Sequence, residues 1–193
     1  KFEQFPILTK FIDAKNNLSI QVHPSNEYAL KNEHQYGKTE MWYVLDCEPG
    51  AFLYYGFDHE ISKAEFEERI KNNTLTEVLN AVPVHKGDCF FIPSGTLHAI
   101  RKGIVVAEIQ QNSNVTYRIY DYGRLGADGK PRQLHIPQAL DVHVGAGNAL
   151  PARDTPGWRE IEAVGVDGDA LRKTLCQLCG QRRFAAAAAA IQC

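Results

Sequence analysis

Residues 87–98 read GDCFFIPSGTLH, and the rest of the chain is best read outward from them. A glycine-aspartate turn leads into the apolar run Cys89, Phe90, Phe91 and Ile92. Pro93, Ser94 and Gly95 then make a rigid corner that presents a lone imidazole, His98. Gly87, Pro93, Gly95 and His98 stand at the spacing G-x5-P-x-G-x2-H. A strand ending in such a corner holds one side chain in place.

Short strands between turns recur on both sides. Upstream, residues 5–13 and 17–23 read as two strands joined by a polar turn. In the second, Leu18, Ile20 and Val22 alternate with Ser19, Gln21 and His23, so Gln21 and His23 share a face. Pro24 ends regular pairing there. A polar loop over 25–38, with a short helix around 27–32, precedes a strand that starts at Glu40 and puts Glu40, Trp42 and Val44 on one face. Another strand spans 51–57. The period then changes: Ser62 with Glu65 makes a capping box and Phe66 with Ile70 an apolar stripe, predicting an amphipathic helix over 62–71. Thr74 with Glu77 repeats the capping pattern before Leu75, Val78 and Leu79, so the helical insert is expected to continue over one end of the domain. Strands resume at 88–92, 104–111 and 115–120. A loop follows at 124–133, then a short helix at 136–142 with Pro137 in its first turn. The pattern predicts a mainly β sandwich or barrel with short helical insertions.

The 193 residues accommodate one substantial domain, read as 1–144. Residues 145–193 form a separate, poorly specified segment, rich in Gly, Ala, Pro and Asp, and the six alanines at 185–190 carry no packing information. A formal charge of -2 and a pI near 6.4 give no reason to expect nucleic acid or an anionic membrane as partner. Neither a run of 18 apolar residues nor a signal peptide is visible. Five irregularly spaced cysteines do not make a disulfide framework, so a cytoplasmic setting is expected. Cys47 and Cys89 lie in apolar runs and read as core thiols, whereas Cys176 and Cys179 are half of a zinc-knuckle pattern with no second pair. Oligomeric state is left open by the sequence.

Gln21, His23, Glu40 and His98 are the groups that can converge. Two imidazoles and a carboxylate suit zinc, which takes three protein ligands and keeps one position for water or substrate; iron and manganese accept much the same set. Gln21 adds an oxygen ligand or orients a water. The remaining histidines, His34, His59, His85, His135 and His143, read as loop or surface residues, with His34 and His135 near site loops. On the strand 115–120, Thr116, Arg118 and Tyr120 share a face, and on the preceding strand Glu108 and Gln110 do. An arginine facing a barrel interior needs an anionic ligand or a carboxylate, and Glu108 is the candidate ion-pair partner.

The spacing around His98 resembles the second signature of the cupin jelly-roll barrels, whose histidine is a metal ligand. The segments FPILTKFIDAKNNLSIQVHPS, YGKTEMWYVL, HKGDCFFIPSGTLHAI and AEIQQNSNVTYRIYDYGR are similar, in content and order, to the type I mannose-6-phosphate isomerases in their short bacterial form. The resemblance implies a zinc ion held by His23, Glu40 and His98, with Gln21 as a further ligand, and Arg118 at the substrate. It implies interconversion of an aldose phosphate and a ketose phosphate, mannose 6-phosphate and fructose 6-phosphate, through an enediol. Zinc would be the Lewis acid and Arg118 the stabiliser of the developing oxyanion.

For the proton carrier, Lys38 and Glu108 are alternatives, and Lys38 reads equally well as a solvated loop lysine. Lys86, Arg124 and Arg132 are candidate phosphate contacts. Longer family members have H-K-P-E-M where this chain has G-K-T-E-M, with Gly37 in place of the histidine. The resemblance implies that the family's usual beginning is lacking here and that 145–193 corresponds to an incomplete second barrel. Two other readings stay open: another metal-dependent cupin enzyme, or a sugar-binding or regulatory barrel without turnover.

Overall fold

The computed structural model describes residues 5–126 and 128–143. The segment 145–193 and its cysteine pair lie outside the described residues. Among the described residues, nine strands form two antiparallel sheets: β1 (Ile7–Asp13), β2 (Ile20–Val22), β3 (Glu40–Cys47), β4 (Phe52–Phe57), β5 (Leu79–Pro83), β6 (Cys89–Ile92), β7 (His98–Ala99), β8 (Ile104–Gln111) and β9 (Tyr117–Tyr120). One sheet runs β1-β8-β3-β6, the other β5-β4-β7-β2-β9. Three helices are inserted: α1 (Asn26–Asn32), α2 (Lys63–Lys71) and α3 (Ile136–Val142).

Alternation along the strands builds the space between the sheets. Trp42, Val44, Leu53, Tyr55, Phe90, Ile92, Ile104 and Val106 pack there. The outer face of the second sheet carries a separate core, in which Ile20, Val22, Tyr117 and Ile119 meet Phe66 and Ile70 of α2 and Ala139 of α3. Ser62 caps α2 by accepting from the Glu65 amide, so the stripe four residues apart does turn inward. With its outer face sealed by helices, this sheet is free to carry polar side chains on its inner face.

Several expectations change. The capping signal at 74–77 yields only a 3-10 turn, Leu75–Glu77, after which β5 pairs with β4 from Phe57–Leu79 to Phe52–Pro83. Strand pairing overrides the local helical preference there. Cys89 is exposed, because the alternation that puts Phe90 and Ile92 inside puts Cys89 and Phe91 outside; Cys47 is half-buried and its thiol donates to the Val84 carbonyl. His143 is no surface residue: it packs against the rings of Phe57 and Phe66, with centroids 5.0 and 4.9 Å away.

Gly37 has a steric reason to be glycine. A Cβ there would stand 2.4 to 2.5 Å from the backbone of Pro24, Ser25 and Asn26. The Gly37 amide donates to Asn26 Oδ1 and the Lys38 amide to the Pro24 carbonyl, so the loop closes tightly on the end of β2. A histidine, or any residue with a Cβ, does not fit this backbone path.

Phe66 is fully buried between α2 and the second sheet. Phe66→Ala should therefore cost about 3–5 kcal/mol in urea denaturation; a loss under about 1 kcal/mol would show that α2 does not seal the sheet.

Candidate metal centre

The corner at Pro93–Thr96 works as a backbone device. The Thr96 amide donates to the Pro93 carbonyl, and Gly95, third in the turn, has φ +85°, the left-handed value a type II turn requires. The Gly95 amide donates to the His23 carbonyl at 2.8 Å, which ties the corner to the end of β2. His98 follows on β7, paired with Gln21 on one side and Tyr55 on the other. Glu40 opens β3, between Ile92 of β6 and Gln110 of β8. The two sheets thus face their histidines and carboxylate toward one another.

His23, Glu40 and His98 are each no more than 2% exposed. Their ligand atoms lie within 4.8 Å of one another. His23 Nδ1 donates to the Val115 carbonyl at 3.0 Å and His98 Nδ1 to the Thr96 carbonyl at 2.8 Å. Each imidazole therefore carries its proton on Nδ1 and turns the bare Nε2 lone pair inward. His23 Nε2 stands 3.5 Å from Glu40 Oε2, and His98 Nε2 stands 3.3 Å from Glu40 Oε1. Glu40 Oε1 is buried with no hydrogen-bond donor among the described residues. The lone pairs of His98 Nε2 and Glu40 Oε1 face each other without a proton between them, an arrangement that calls for a cation.

Lys38 supplies one positive charge here. Its ammonium donates to Glu40 Oε2 and, at 3.0 Å, to His23 Nε2. It is 3% exposed, so the reading of Lys38 as a solvated loop lysine is corrected. Gln21 lies at the edge of the cluster, with Nε2 3.4 Å from His98 Nε2. Burial alone would raise the Glu40 pKa, but His23, His98 and Lys38 hold its carboxyl below the usual carboxylate range. Burial drives His23 well below its ordinary value; Glu40 opposes this, and Lys38 and His98 add to it.

Glu108 is buried beside the cluster but does not pair with Arg118 as the sequence suggested. Its Oε2 accepts from Trp42 Nε1 at 3.1 Å and its Oε1 from Lys10 at 3.2 Å, with the Lys38 ammonium 3.7 Å away. Trp42 also sets its ring edge-on against His98, with centroids 5.2 Å apart. Neither Trp42 nor Lys10 was singled out from the sequence. Trp42 shares the face of Glu40 by simple alternation, which was the signal available; Lys10 becomes visible only once β1 pairs with β8.

Arg118 pairs with Gln21 across β2 and β9, donates through Nη1 to the Gln133 carbonyl at 3.2 Å, and keeps a buried Nε without a partner among the described residues. His135 binds the backbone of Arg118 on both sides, through Nδ1 and through its own amide. His34, His59 and His85 are exposed, and Lys86 lies 4.0 Å from Asp46, six residues or roughly 20 Å along β3 from Glu40.

Two sheets folded into a barrel around a buried cluster of two histidines and a glutamate define a cupin-type protein. The comparisons make this more specific. Residues 1–50 match the family model for the catalytic domain of type I phosphomannose isomerase. A mannose-6-phosphate isomerase of Streptococcus mutans is 45% identical over 164 residues, 85% of this chain and 51% of that protein. Mannose-6-phosphate isomerase ManA of Bacillus subtilis is 45% identical over 161 residues, 83% of this chain and 50% of that protein. The crystal structure of a mannose 6-phosphate isomerase from Bacillus subtilis superposes with a TM-score of 0.72 at 43% identity, over 75% of this chain and 46% of that one. The chain belongs to the type I phosphomannose isomerase family. It spans about half the length of the curated relatives it matches.

Burial lowers the pKa of His143 as it does that of His23. The unfolded chain takes up these protons near pH 6.5, the ordinary imidazole value, while the folded chain resists, so the stability they contribute is present above that pH and lost as pH falls below it. The metal-free protein should melt at progressively lower temperature from pH 7.5 to 5, and His143→Phe should flatten the decline. An unchanged slope in that variant would count against the buried neutral imidazole.

Proposed function

We propose that this chain is the metal-binding catalytic barrel of a zinc-dependent mannose-6-phosphate isomerase. The observation that carries the reading is the convergence of two bare Nε2 lone pairs and a donor-free carboxylate oxygen in a buried cluster. His23, Glu40 and His98 would hold the ion, with Gln21 as a fourth protein ligand, and this nitrogen and oxygen set fits zinc. When bound, zinc supplies Lewis-acid polarisation of the two substrate oxygens that exchange alcohol and carbonyl character.

The isomerisation moves one proton from C2 to C1 through an enediol. Lys38 is the better carrier, because both Glu108 oxygens are already engaged, by Lys10 and Trp42. Glu108 instead flanks the Lys38 ammonium at 3.7 Å, a second carboxyl group beside its direct partner Glu40. Arg118, two strands from His98 with Gln21 between them, is placed to balance the negative charge of an enediolate. Trp42 and the apolar residues below the cluster exclude water and strengthen these interactions. The substrate is a phosphorylated hexose and the setting cytoplasmic; among the described residues no helix is long and apolar enough to cross a membrane.

Metal-stripped protein should show no conversion of mannose 6-phosphate to fructose 6-phosphate, and zinc should restore it. Sugar-phosphate binding without turnover by the zinc-loaded chain would instead favour a binding module, and restoration by iron alone another cupin activity. Lys38→Ala should cut turnover by 100-fold or more, on the order expected for a lost acid-base group, while zinc content measured by elemental analysis stays near one per chain. Equal losses of zinc and turnover would remove Lys38 from the proton path.

A further inference from the structure

Among the described residues, β9 is the outermost strand of the second sheet, next to β2. An edge strand leaves alternate backbone N–H and C=O groups pointing outward, and each needs a partner. At Arg118 both are taken by a single residue from beyond the following loop. The Arg118 amide donates to His135 Nδ1 at 3.2 Å, and the His135 amide donates to the Arg118 carbonyl at 2.8 Å. The same segment reaches the side chain, because Arg118 Nη1 donates to the Gln133 carbonyl at 3.2 Å. Residues 133–135 thus hold Arg118 by its amide, its carbonyl and its guanidinium.

His135 is itself firmly held. It precedes α3, whose Ala139 amide donates to the His135 carbonyl at 3.0 Å, and Ala139 is fully buried in the core on the outer face of the second sheet. The His135 ring lies beside that of Tyr117, with centroids 6.1 Å apart. Because Nδ1 accepts, the proton of the neutral ring sits on Nε2, the reverse of His23 and His98. Burial lowers the His135 pKa first and the Arg118 charge lowers it further, against Glu33, so the accepting lone pair is kept. Among the described residues no carboxylate pairs with Arg118: Glu108 is engaged by Lys10 and Trp42, and Asp121 by Arg124 and Arg132. The guanidinium keeps a buried Nε that has no partner among the described residues, an N–H left to meet an oxyanion.

We propose that His135 is a positioning residue for the isomerisation: by closing both backbone groups of Arg118 it fixes the strand position from which the guanidinium faces the enediolate. That role rests on the isomerase reading, which places Arg118 at the substrate. An arginine side chain is long and flexible, and its effect on a developing charge depends on donors already aimed at the oxygen. Gln21, opposite Arg118 on β2, holds β9 from the side of the metal cluster, and His135 holds it from the outer edge. Through that contact α3 bears on the site by way of the backbone, although it packs on the outer face of the sheet.

The test compares the zinc-loaded full chain with His135→Leu, which removes the acceptor, and His135→Asn, whose Oδ1 offers an acceptor at similar reach. His135→Leu should lower kcat for mannose 6-phosphate by roughly tenfold or more while KM changes by less than about threefold, and His135→Asn should recover most of the loss. Starting from Arg118→Lys, adding His135→Leu should cost less than about twofold, because the effect runs through the guanidinium. Parent-like kcat in a folded His135→Leu variant, or the full loss repeated in the Arg118→Lys background, would overturn the proposal. Nitrogen NMR reads the contact without turnover: His135 of the parent should show an unprotonated Nδ1, and the Arg118 Nε–H should exchange with solvent more slowly in the parent than in His135→Leu. A protonated Nδ1 in the parent overturns the proposal, even should His135→Leu fail to fold. Both NMR signatures in a parent that does not isomerise mannose 6-phosphate would uphold the clamp on Arg118 while sinking the isomerase reading.

Discussion

The rest of the barrel is arranged around the cost of keeping three electron-pair donors together in a buried space. Glu40 is a carboxylate out of reach of water, and His23 and His98 face it with their unprotonated nitrogens. Neither ring can relieve the contact by moving its proton, since each Nδ1 is committed to a backbone carbonyl. An isolated buried carboxylate is strongly disfavoured. Positive charge therefore has to be supplied within the cluster, and the Lys38 ammonium, in contact with Glu40 and His23, supplies part of it.

The fold provides the rigidity this arrangement needs. Short strands give few degrees of freedom, and the Gly95 bond to His23 couples two ligands through the backbone instead of through flexible side chains. Trp42 lies between His98 and Glu108, so the metal cluster and the neighbouring buried acid share one wall. The helices contribute from outside. By covering the second sheet with α2 and α3, the chain can place Gln21, His98 and Arg118 on the inner face without exposing apolar surface on the outer one.

Both polar centres are assembled from residues 21–132, within the described part of a chain that spans about half of its relatives. They differ in electrostatic character. The metal cluster gathers electron pairs and draws a cation, whereas at the second centre the Asp121 carboxylate holds two guanidinium groups. The register of β7, β2 and β9 joins the two, because His98, Gln21 and Arg118 are opposite one another on successive strands.

Much of this was legible in the residues. Period-two alternation located β2 and β3, apolar runs between turns located β4, β6 and β8, capping residues located α2, and the glycine-proline corner identified His98. His23 and Glu40 followed because ligands on strand faces leave a two-residue signature. Other features stayed hidden for a common reason, which is that they depend on contacts distant in the chain. The 74–79 segment carries local helix signals, yet the helical turn ends at Glu77 because pairing with β4 takes over from Leu79. Cys89 and Phe91 look like core until the register of β6 turns them outward, and His143 looks exposed until α2 and β4 enclose it. The sequence by itself determined which groups can bind a metal and that short strands must carry them, since ligand chemistry and strand period are local properties. Tertiary structure alone decided that Lys38 is buried against Glu40, that Glu108 belongs to Lys10 and Trp42 instead of Arg118, and that Arg124 and Arg132 both close on Asp121. Those partnerships are set by strand register and loop closure, and electrostatic energy depends on distance in space.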